Sequence, residues 1–225
     1  MKTIGLLGGT HWISTIEYYR IINQKINETL GKNHSAKIIL NSIDYETIKK
    51  FNYKNWDKIG DILMEEIIKL DSFNVDCILI CNNVLHKAYD EISQNLYIDK
   101  PVIHIVDSTA SFAQKFGYKN CLLLGTKFVM EDNFYKKRLA KFNIKSTVPN
   151  EKDRNKIQKK LQNKIFSEET KQWFKELINK HKKMDAVILG CTELPIVIDQ
   201  KDYQIPILNT LELQCEKAVK FSIDK

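Results

Sequence analysis

Short runs of β-branched and other apolar residues alternate with helix-length amphipathic segments along most of the chain. The runs that predict strands are 3–7, 37–43, 75–81, 101–106, 119–125, 144–148, 184–190 and 205–208. Strands that alternate with helices in this way form parallel sheets covered by those helices. We therefore predict an α/β fold with mainly parallel sheets.

Three segments between the strand runs predict amphipathic helices. The first begins with the capping-box pattern of Ser14 and Glu17 and places five apolar residues on one face: Ile16, Tyr19, Ile22, Ile26 and Leu30. A second segment has the same spacing at Ile59, Leu63, Ile67 and Leu70. The third begins with Ser167 followed by acidic residues and ends in basic ones, as the helix dipole favours.

The chain contains an internal correspondence. KTIGLLGGT, which starts at Lys2, matches KNCLLLGTK from Lys119, and VDCILICNN from Val75 matches MDAVILGCT from Met184. The pattern indicates two related halves, at 1–103 with 210–225 and at 104–209, although short apolar strands also resemble one another by chance.

The same register predicts which side chain follows the third strand into a site. It aligns Cys81 with Gly190 and Asn82 with Cys191. Because side chains alternate between the faces of a strand, Cys81 and Asn82 should point in opposite directions. If Cys191 faces a ligand, Asn82 is its counterpart and Cys81 is turned into the packing.

Composition excludes several classes of function. The net charge of +7 and the pI of about 9.0 come mostly from lysines spread along amphipathic segments, which is typical of a solvated surface rather than a nucleic-acid site. No apolar run is long enough to span a membrane, and the N-terminal run is too short for a signal sequence. Five cysteines without a secretion signal indicate reduced thiols in the cytoplasm.

The segment VILGCTELP, from Val187 to Pro195, is the strongest chemical signal. Cys191 follows a buried strand at its carboxyl end, where open α/β sheets bind ligands. Thr192 offers a hydroxyl and a backbone N–H to a carboxylate, and Glu193 can orient or deprotonate the thiol. A thiol pKa near 8.5 can be tuned for proton transfer. A buried structural cysteine followed by a turn is the alternative reading.

The remaining thiols and histidines predict no further centre. Cys77 and Cys121 lie within apolar strands, and Cys215 shares a helical stripe with Leu211, Ala218 and Val219. The histidines and cysteines have no metal-ligand spacing, and no dinucleotide or phosphate-binding glycine pattern follows a strand. Nothing indicates pyridoxal phosphate, so we expect neither a metal nor a cofactor.

Three segments together resemble the aspartate/glutamate racemase family: IGLLGGTHWISTIEYYRIIN, NNVLHK and ILGCTELP. The resemblance runs in order along nearly the whole chain. It implies a cofactor-independent enzyme of two pseudo-symmetric α/β domains with the active site between them. In this family one cysteine from each half removes or returns the Cα proton of an acidic amino acid.

The resemblance also assigns roles to residues. Cys191 matches the second-half acid/base, with Thr192 and Glu193 as its neighbours. Substrate-binding positions match Gly8, Gly9 and Thr10 in the first loop, then Asn83, Val84 and His86 after the third strand. Lys156 resembles the basic residue that binds the distal carboxylate, and one more surface lysine is the alternative.

The departures from the family pattern bear on the chemistry. The usual Cys-Asn-Thr reads Asn82-Asn83-Val84 here, so the first thiol and a carboxylate-binding hydroxyl are missing. The usual Met-Ser-Trp-Glu reads Thr10-His11-Trp12-Ile13. An asparagine amide cannot shuttle a proton, although it can donate a hydrogen bond to a carboxylate or enediolate.

These observations predict an amino-acid racemase, an isomerase of altered or impaired activity, in which Cys191 transfers the Cα proton and Asn82 replaces the opposite thiol. The expected partner is a small acidic amino acid or dicarboxylate, with no nucleic acid or membrane, in a cytoplasmic homodimer. Two alternatives remain open. One is a single-thiol enzyme that exchanges protons on one face, including decarboxylase or lyase-like chemistry. The other is an inactive homologue that binds an acidic metabolite.

Overall fold

The computed structural model describes residues 1–163 and 166–224, and the chain divides into two compact units. Unit 1 comprises Met1–Ile105 with Gln214–Lys225, and unit 2 comprises Val106–Leu213. The sequence analysis placed the corresponding boundaries after residues 103 and 209, and Lys225 of its first half lies outside the described residues. The chain therefore leaves unit 1, forms unit 2, and returns.

Unit 1 is a three-stranded parallel sheet with the strand order β2-β1-β3. Its strands are β1 (Ile4–Gly8), β2 (Ile38–Ser42) and β3 (Cys77–Ile80). Four helices precede the crossing to unit 2: α1 (Trp12–Leu30), α2 (Glu46–Lys49), α3 (Trp56–Asp71) and α4 (Leu85–Ile92). The apolar face predicted for the second helix is confirmed, because α3 buries all four of its predicted residues completely: Ile59, Leu63, Ile67 and Leu70.

Unit 2 is a four-stranded parallel sheet with the strand order β5-β4-β6-β7. Its strands are β4 (Asn120–Gly125), β5 (Lys145–Thr147), β6 (Ala186–Gly190) and β7 (Ile207–Asn209). The helices that follow α4 are α5 (Ile105–Lys115), α6 (Lys127–Glu131), α7 (Asn133–Ala140), α8 (Glu151–Gln162), α9 (Glu168–Lys180) and α10 (Thr210–Ile223). Short 3₁₀ helices cover Leu194–Ile196 and Gln200–Asp202.

The sheets and their helices confirm the predicted α/β class with two parallel-sheet units. The predicted start of α9 is also confirmed, since Ser167 Oγ accepts a hydrogen bond from the Thr170 backbone N–H at 3.3 Å. Within the described residues, no helix has both the length and the apolar content needed to cross a membrane.

The internal correspondence is confirmed by the strand registers. Ile4 of β1 pairs with Cys77 of β3, and Cys121 of β4 pairs with Ala186 of β6, which are the partners that the aligned sequences predict. An aspartate stands at the start of the third strand in both units. Asp76 Oδ2 accepts from Thr3 N–H at 2.6 Å, and Asp185 Oδ2 accepts from the N–H groups of Lys119 and Asn120 at 2.8 and 2.7 Å.

The strand predicted at 101–106 is wrong. Only Val102 forms a bridge, to Ile78 of β3, and α5 already begins at Ile105. Pro101 has no N–H and can only accept, which it does from Ile78 N at 3.0 Å. Unit 2 repeats this contact where Pro206 accepts from the Val187 N–H at 2.8 Å.

The predicted start of α1 is wrong, and its predicted apolar face is confirmed only at Ile22 and Ile26. The helix begins at Trp12 after His11, so that Ser14 lies inside it and makes no capping box. Three of the residues predicted to be buried are exposed: Ile16 (52%), Tyr19 (54%) and Leu30 (40%). The helix turns a mixed face inward, consisting of Ser14, Thr15, Tyr18, Ile22 and Ile26. The Tyr18 hydroxyl can be buried because it donates to Gln214 Oε1 of α10.

The loop after β1 depends on a glycine. Gly9 has a φ of +89°, and a Cβ at this position would lie 2.6 Å from the Ile43 backbone nitrogen and closer still to its carbonyl oxygen. Both the left-handed backbone and the contact with the chain after β2 therefore exclude a side chain. Gly31 has a similar φ of +72°, but open space surrounds the place of its missing Cβ.

We expect Gly9→Ala to lower the free energy of unfolding by roughly 3 kcal/mol or more, since backbone atoms cannot move aside cheaply. Gly31→Ala is the control without a close neighbour and should cost less, roughly 1–3 kcal/mol, which is the backbone strain of its φ of +72° and ψ of −167° alone. Urea unfolding of the two variants measures the difference. Equal losses would show that Gly9 is required for its backbone angle and not for the close approach to Ile43.

Candidate active site

Cys191 stands directly after β6 in unit 2. The strand ends at Gly190, where an added Cβ would lie 2.9 Å from Val129 Cγ1, so the close packing of α6 favours glycine. The chain then turns through Thr192 and Glu193, both half-buried, into the 3₁₀ helix at Leu194. This turn leaves 8% of Cys191 exposed at the carboxyl edge of the sheet.

The surroundings of Cys191 favour its neutral thiol. Burial raises its pKa to about 12, and the negative charge of Glu193 also raises it. Hydrogen bonds from the backbone N–H groups of Glu193 and Leu194 to the sulfur act in the opposite direction. At neutral pH the thiol is therefore protonated, and its small thiolate fraction is stabilised by two backbone dipoles.

The equivalent position in unit 1 is Asn82, two residues after the end of β3 at Ile80. The side-chain Oδ1 accepts hydrogen bonds from the backbone N–H groups of Val84 at 2.8 Å and Leu85 at 3.1 Å. The amide nitrogen Nδ2 donates to the Thr10 carbonyl at 3.4 Å. Asn82 thus joins the start of α4 to the loop after β1 and keeps one further N–H for a ligand.

Cys81 points away from this loop. It is 1% exposed, its sulfur lies 4.0 Å from the Leu79 carbonyl, and burial raises its pKa above the usual range for a thiol. Asn82 is half-buried. The two neighbours therefore differ in burial, and both lie beyond β3, where the Asn82 N–H already donates to the Ile80 carbonyl at 2.8 Å.

Equivalent pairs of backbone N–H groups contact the side chains of Asn82 and Cys191. In the internal register, Val84 and Leu85 are the counterparts of Glu193 and Leu194. Unit 2 directs this pair at a sulfur, and unit 1 directs it at an amide oxygen. The sequence analysis missed the pair, although the alignment of Asn82 with Cys191 contained the signal.

Thr10 provides an unfilled polar position in unit 1. Its side chain is 2% exposed, and its hydroxyl oxygen has no hydrogen-bond partner within the described residues. Gly9, the preceding residue, donates its N–H to Thr15 Oγ1 at 3.0 Å. Because buried hydroxyls are normally paired, Thr10 Oγ1 is a place where a polar ligand atom would be stabilised.

Three further predicted site residues after β3 are buried: Asn83 is 5% exposed and Val84 is 7%, both in the loop, and His86, in the first turn of α4, is 0%. The Ile105 N–H donates to His86 Nε2 at 3.2 Å, so the ring proton is on Nδ1, which donates to the Asn82 carbonyl at 2.8 Å. This neutral tautomer ties Asn82 to the start of α5. His86 therefore acts on the loop backbone.

Lys156 lies on the exposed side of α8, with its Nζ 4.7 Å from the centre of the Trp173 ring. It contributes to a cavity of about 560 Å³ whose other lining residues are also on α8: Glu151, Lys152, Asn155 and Lys159. Both a carboxylate-binding role and a surface role are compatible with this position.

Lys127 is a further candidate that the sequence analysis did not identify. It follows β4, the neighbour of β6, and its Nζ donates to Asn155 Oδ1 at 2.8 Å. Its backbone N–H donates to Gln158 Oε1 at 2.7 Å, which ties α8 to the carboxyl edge of the sheet. The sequence signal was its alignment with Thr10 in the internal correspondence.

The cysteines and acidic residues form no metal site among the residues that the structure describes. All five cysteines are free and buried, with Cys77 and Cys121 in strands and Cys215 in the interior face of α10. Across residues 1–163 and 166–224, no three His, Cys, Asp or Glu side chains form a group that could hold a metal ion.

Comparison with known proteins identifies several relatives. A crystal structure from Yersinia pestis, assigned provisionally to the Asp/Glu racemases, has 33% identity and a TM-score of 0.92 and covers 100% of both chains. A glutamate racemase of Hydrogenobaculum sp. (strain Y04AAS1) has 28% identity over 145 residues, 60% of this chain and 53% of the relative. The match thus spans about half of that relative's length. A broad-specificity amino-acid racemase of Bacillus subtilis (strain 168) has 28% identity over 162 residues, 68% of each chain.

The model of one family, described as Asp/Glu/hydantoin racemase, matches residues 7–218. That range contains the loop after β1, the Asn82 position, the α8 lysines and Cys191. The matched range includes all or part of every strand in both parallel sheets, including the strands whose registers correspond between the two units. The chain belongs to the Asp/Glu/hydantoin racemase family.

Proposed function

We propose that this protein is a cofactor-independent amino-acid racemase that acts on a small acidic amino acid, with Cys191 as an acid/base. The observation that carries the proposal is the position of Cys191 at the carboxyl end of β6, with the N–H groups of Glu193 and Leu194 directed at its sulfur. The family relationship supports the same reaction class.

The reaction needs only proton transfer at Cα. The Cys191 thiolate takes the Cα proton, and the electron pair left on carbon spreads into the carboxylate as an enediolate. Return of a proton to the same face restores the starting enantiomer, whereas delivery to the opposite face gives its mirror image. The Asn82 amide neither takes up nor releases a proton as an acid or base, and it would instead donate a hydrogen bond from its remaining N–H to the enediolate oxygen. Glu193 would orient the thiol.

The two carboxylates of the substrate would bind to hydrogen-bond donors in both units. Thr10 Oγ1, the Asn83 amide and the Thr192 hydroxyl are the proposed ligands of the α-carboxylate, together with the Gly9 loop. Val84 supplies no hydroxyl at its position and leaves this set weaker than in the family pattern. Lys156, beside the other α8 lysines, would bind the distal carboxylate.

One observation favours a second candidate function. Asn82 Oδ1 is held by two backbone N–H groups, so the amide is fixed as a structural group. A protein with Cys191 as its single acid/base would exchange protons on one face, or carry out decarboxylase or lyase-like chemistry through the same enediolate. An inactive homologue that only binds an acidic metabolite would retain the carboxylate ligands and show no exchange.

We further propose a cytoplasmic homodimer. Five buried cysteines that form no disulfide bond with one another are consistent with a reducing compartment. The exposed face of α1 carries apolar residues that a second subunit could cover: Trp12 (65%), Ile16 (52%) and Tyr19 (54%).

In D₂O, the protein should replace the Cα hydrogen of aspartate or glutamate with deuterium, as followed by NMR for each enantiomer. Exchange in one enantiomer should be faster than its inversion because the two faces have different groups. Cys191→Ser should lower exchange by roughly 10²–10⁴-fold. The buried helix residue Cys215 provides the control, since Cys215→Ser should retain exchange. Full exchange in Cys191→Ser would rule out the assigned acid/base.

Alkylation tests the state of the thiol. Because the pKa of Cys191 is raised to about 12, its thiolate fraction should rise about tenfold per pH unit between pH 7 and 10. The rate of iodoacetamide labelling at Cys191, measured by peptide mapping, should follow that slope. Cys81 is the internal control and should react more slowly, because it is more deeply buried. A plateau below pH 9, or faster labelling of Cys81, would contradict this description.

Ligand binding tests the substrate class. Saturating aspartate, glutamate or a dicarboxylate should raise the melting temperature. At a ligand concentration of 100 Kd, the free energy of unfolding should increase by about 2.7 kcal/mol. Lys156→Gln should weaken this effect by loss of a charged hydrogen bond. Lys175→Gln, on α9, is the matched surface control. Stabilisation by neutral or aromatic amino acids alone would oppose an acidic substrate.

A further inference from the structure

We propose that Trp173 is a positioning residue, which holds Lys156 in place and thereby makes the protein prefer acidic over neutral amino acids. The inference rests on the proposed function, in which Lys156 binds the distal carboxylate, and it names what sets the specificity of that position. The centre of the Trp173 ring lies 4.7 Å from Lys156 Nζ and 5.7 Å from Lys160 Nζ. One indole of α9 therefore contacts two ammonium groups of α8.

Trp173 itself is held by the interior of unit 2. Its side chain packs, partly buried, against the core cluster that contains Ile157, Phe174 and Cys191. The Trp173 and Phe174 rings form a T-shaped pair, with their centres 5.0 Å apart and their planes at 66°. Ile157 follows Lys156 on α8, so the same core also fixes the helix that carries the lysine. The indole is therefore a fixed surface for the two ammonium groups.

The two lysines are held in different ways. Lys160 is 8% exposed, and its Nζ donates a hydrogen bond to Thr170 Oγ1 at 2.8 Å. Thr170 is fully buried in the first turn of α9, so Lys160 is anchored by a hydrogen bond as well as by the ring. Lys156 is exposed, and in the part of the chain that the structure describes its ammonium makes no hydrogen bond or ion pair. The Trp173 ring therefore holds Lys156 Nζ and leaves its N–H donors available to an anion.

The charges around Lys156 favour a ligand with a second carboxylate. Lys152, Lys156 and Lys159 line a cavity of about 560 Å³. Its other described lining residues are Asn155 and one acid, Glu151. Neighbouring ammonium groups repel one another, and an anion among them relieves that repulsion. A neutral side chain in the same place would not relieve it.

The helix that carries Lys156 is fixed to the edge of the sheet that bears Cys191. β4 pairs with β6, the strand that ends directly before Cys191. Just beyond β4, Lys127 donates from its backbone N–H to Gln158 and from its Nζ to Asn155, and both acceptors are on α8. Lys156 and the proposed acid/base are thus tied to one sheet within unit 2.

The physical effect of the indole is to order the lysine before a ligand arrives. A lysine side chain loses rotamer freedom when it is immobilised, and a ligand that finds it already held does not bear that cost. The strength of an exposed cation–π contact corresponds to roughly a two- to fivefold change in an equilibrium constant. Only ligands that use Lys156 benefit, which means amino acids with a distal carboxylate. Asparagine and glutamine have the same shapes without that charge.

The experiment measures the Kd of aspartate, glutamate and their amides by isothermal titration calorimetry. Trp173→Leu should weaken the binding of the preferred acidic amino acid roughly two- to fivefold and leave the Kd of its amide unchanged. Trp173→Phe, which keeps an aromatic face, should recover part of the loss. In a Lys156→Gln background, Trp173→Leu should have no further effect, because the ring would have no ammonium at position 156 to hold.

Circular dichroism and melting temperature establish that each variant is folded. If Trp173→Leu does not fold, Trp173→Phe takes its place in the same cycle, with a smaller loss that should also disappear in the Lys156→Gln background. Equal weakening of the acid and its amide, or an undiminished effect of the Trp173 substitution beside Lys156→Gln, would overturn the proposal. Either result would mean that Trp173 acts on the fold as a whole.

Cα exchange in D₂O, measured on the same variants, separates this inference from the proposed function. Binding that follows the expected cycle without any exchange would overturn the racemase chemistry and support the role of Trp173. Normal exchange, with unchanged binding of the acidic amino acids in Trp173→Leu, would overturn the role of Trp173 alone. If the wild-type protein binds the amides as tightly as the acids, both the acidic substrate and this inference are wrong.

Discussion

Two neighbouring backbone N–H groups after the third strand of each unit are the interaction on which the candidate site depends. In unit 1 they belong to Val84 and Leu85, and in unit 2 to Glu193 and Leu194. Such a pair presents partial positive charge and favours an anion or an acceptor in front of it. A thiol placed there has its ionised form stabilised, whereas an asparagine placed there is fixed in position by its oxygen.

The N–H pair accommodates an ionisable thiol in unit 2 and a neutral amide in unit 1. Burial raises the pKa of Cys191, and the N–H pair opposes that effect without removing it. The thiol therefore remains neutral at rest and is still able to ionise. The amide oxygen of Asn82 accepts from the equivalent backbone N–H groups without any titration. His86 contacts the same loop through the Asn82 carbonyl.

The repeated architecture places those groups by the same means in both units. An aspartate secures the start of the third strand, and a proline carbonyl receives an N–H from that strand. The helix after each of these prolines belongs mostly to the other unit. After Pro101 this helix is α5, assigned to unit 2 from Val106, and after Pro206 it is α10, assigned to unit 1 from Gln214. Because the Tyr18 hydroxyl is paired with Gln214, α1 depends on this returning helix, and its apolar side is left exposed.

The sequence by itself determined the features that follow from local periodicity. Alternating apolar runs specified parallel strands, and matched runs specified the common register and the correspondence of Asn82 with Cys191. Tertiary structure decided what depends on partners distant in the chain. Gln214 pairs with the Tyr18 hydroxyl on the buried face of α1, and Asn155 and Gln158 hold Lys127 beside the sheet. The predicted strand at 101–106 is limited to one bridge, between Val102 and Ile78. The physical reason is that periodicity reports which face of an element is apolar, whereas a hydrogen bond between distant segments exists only after the chain has brought them together.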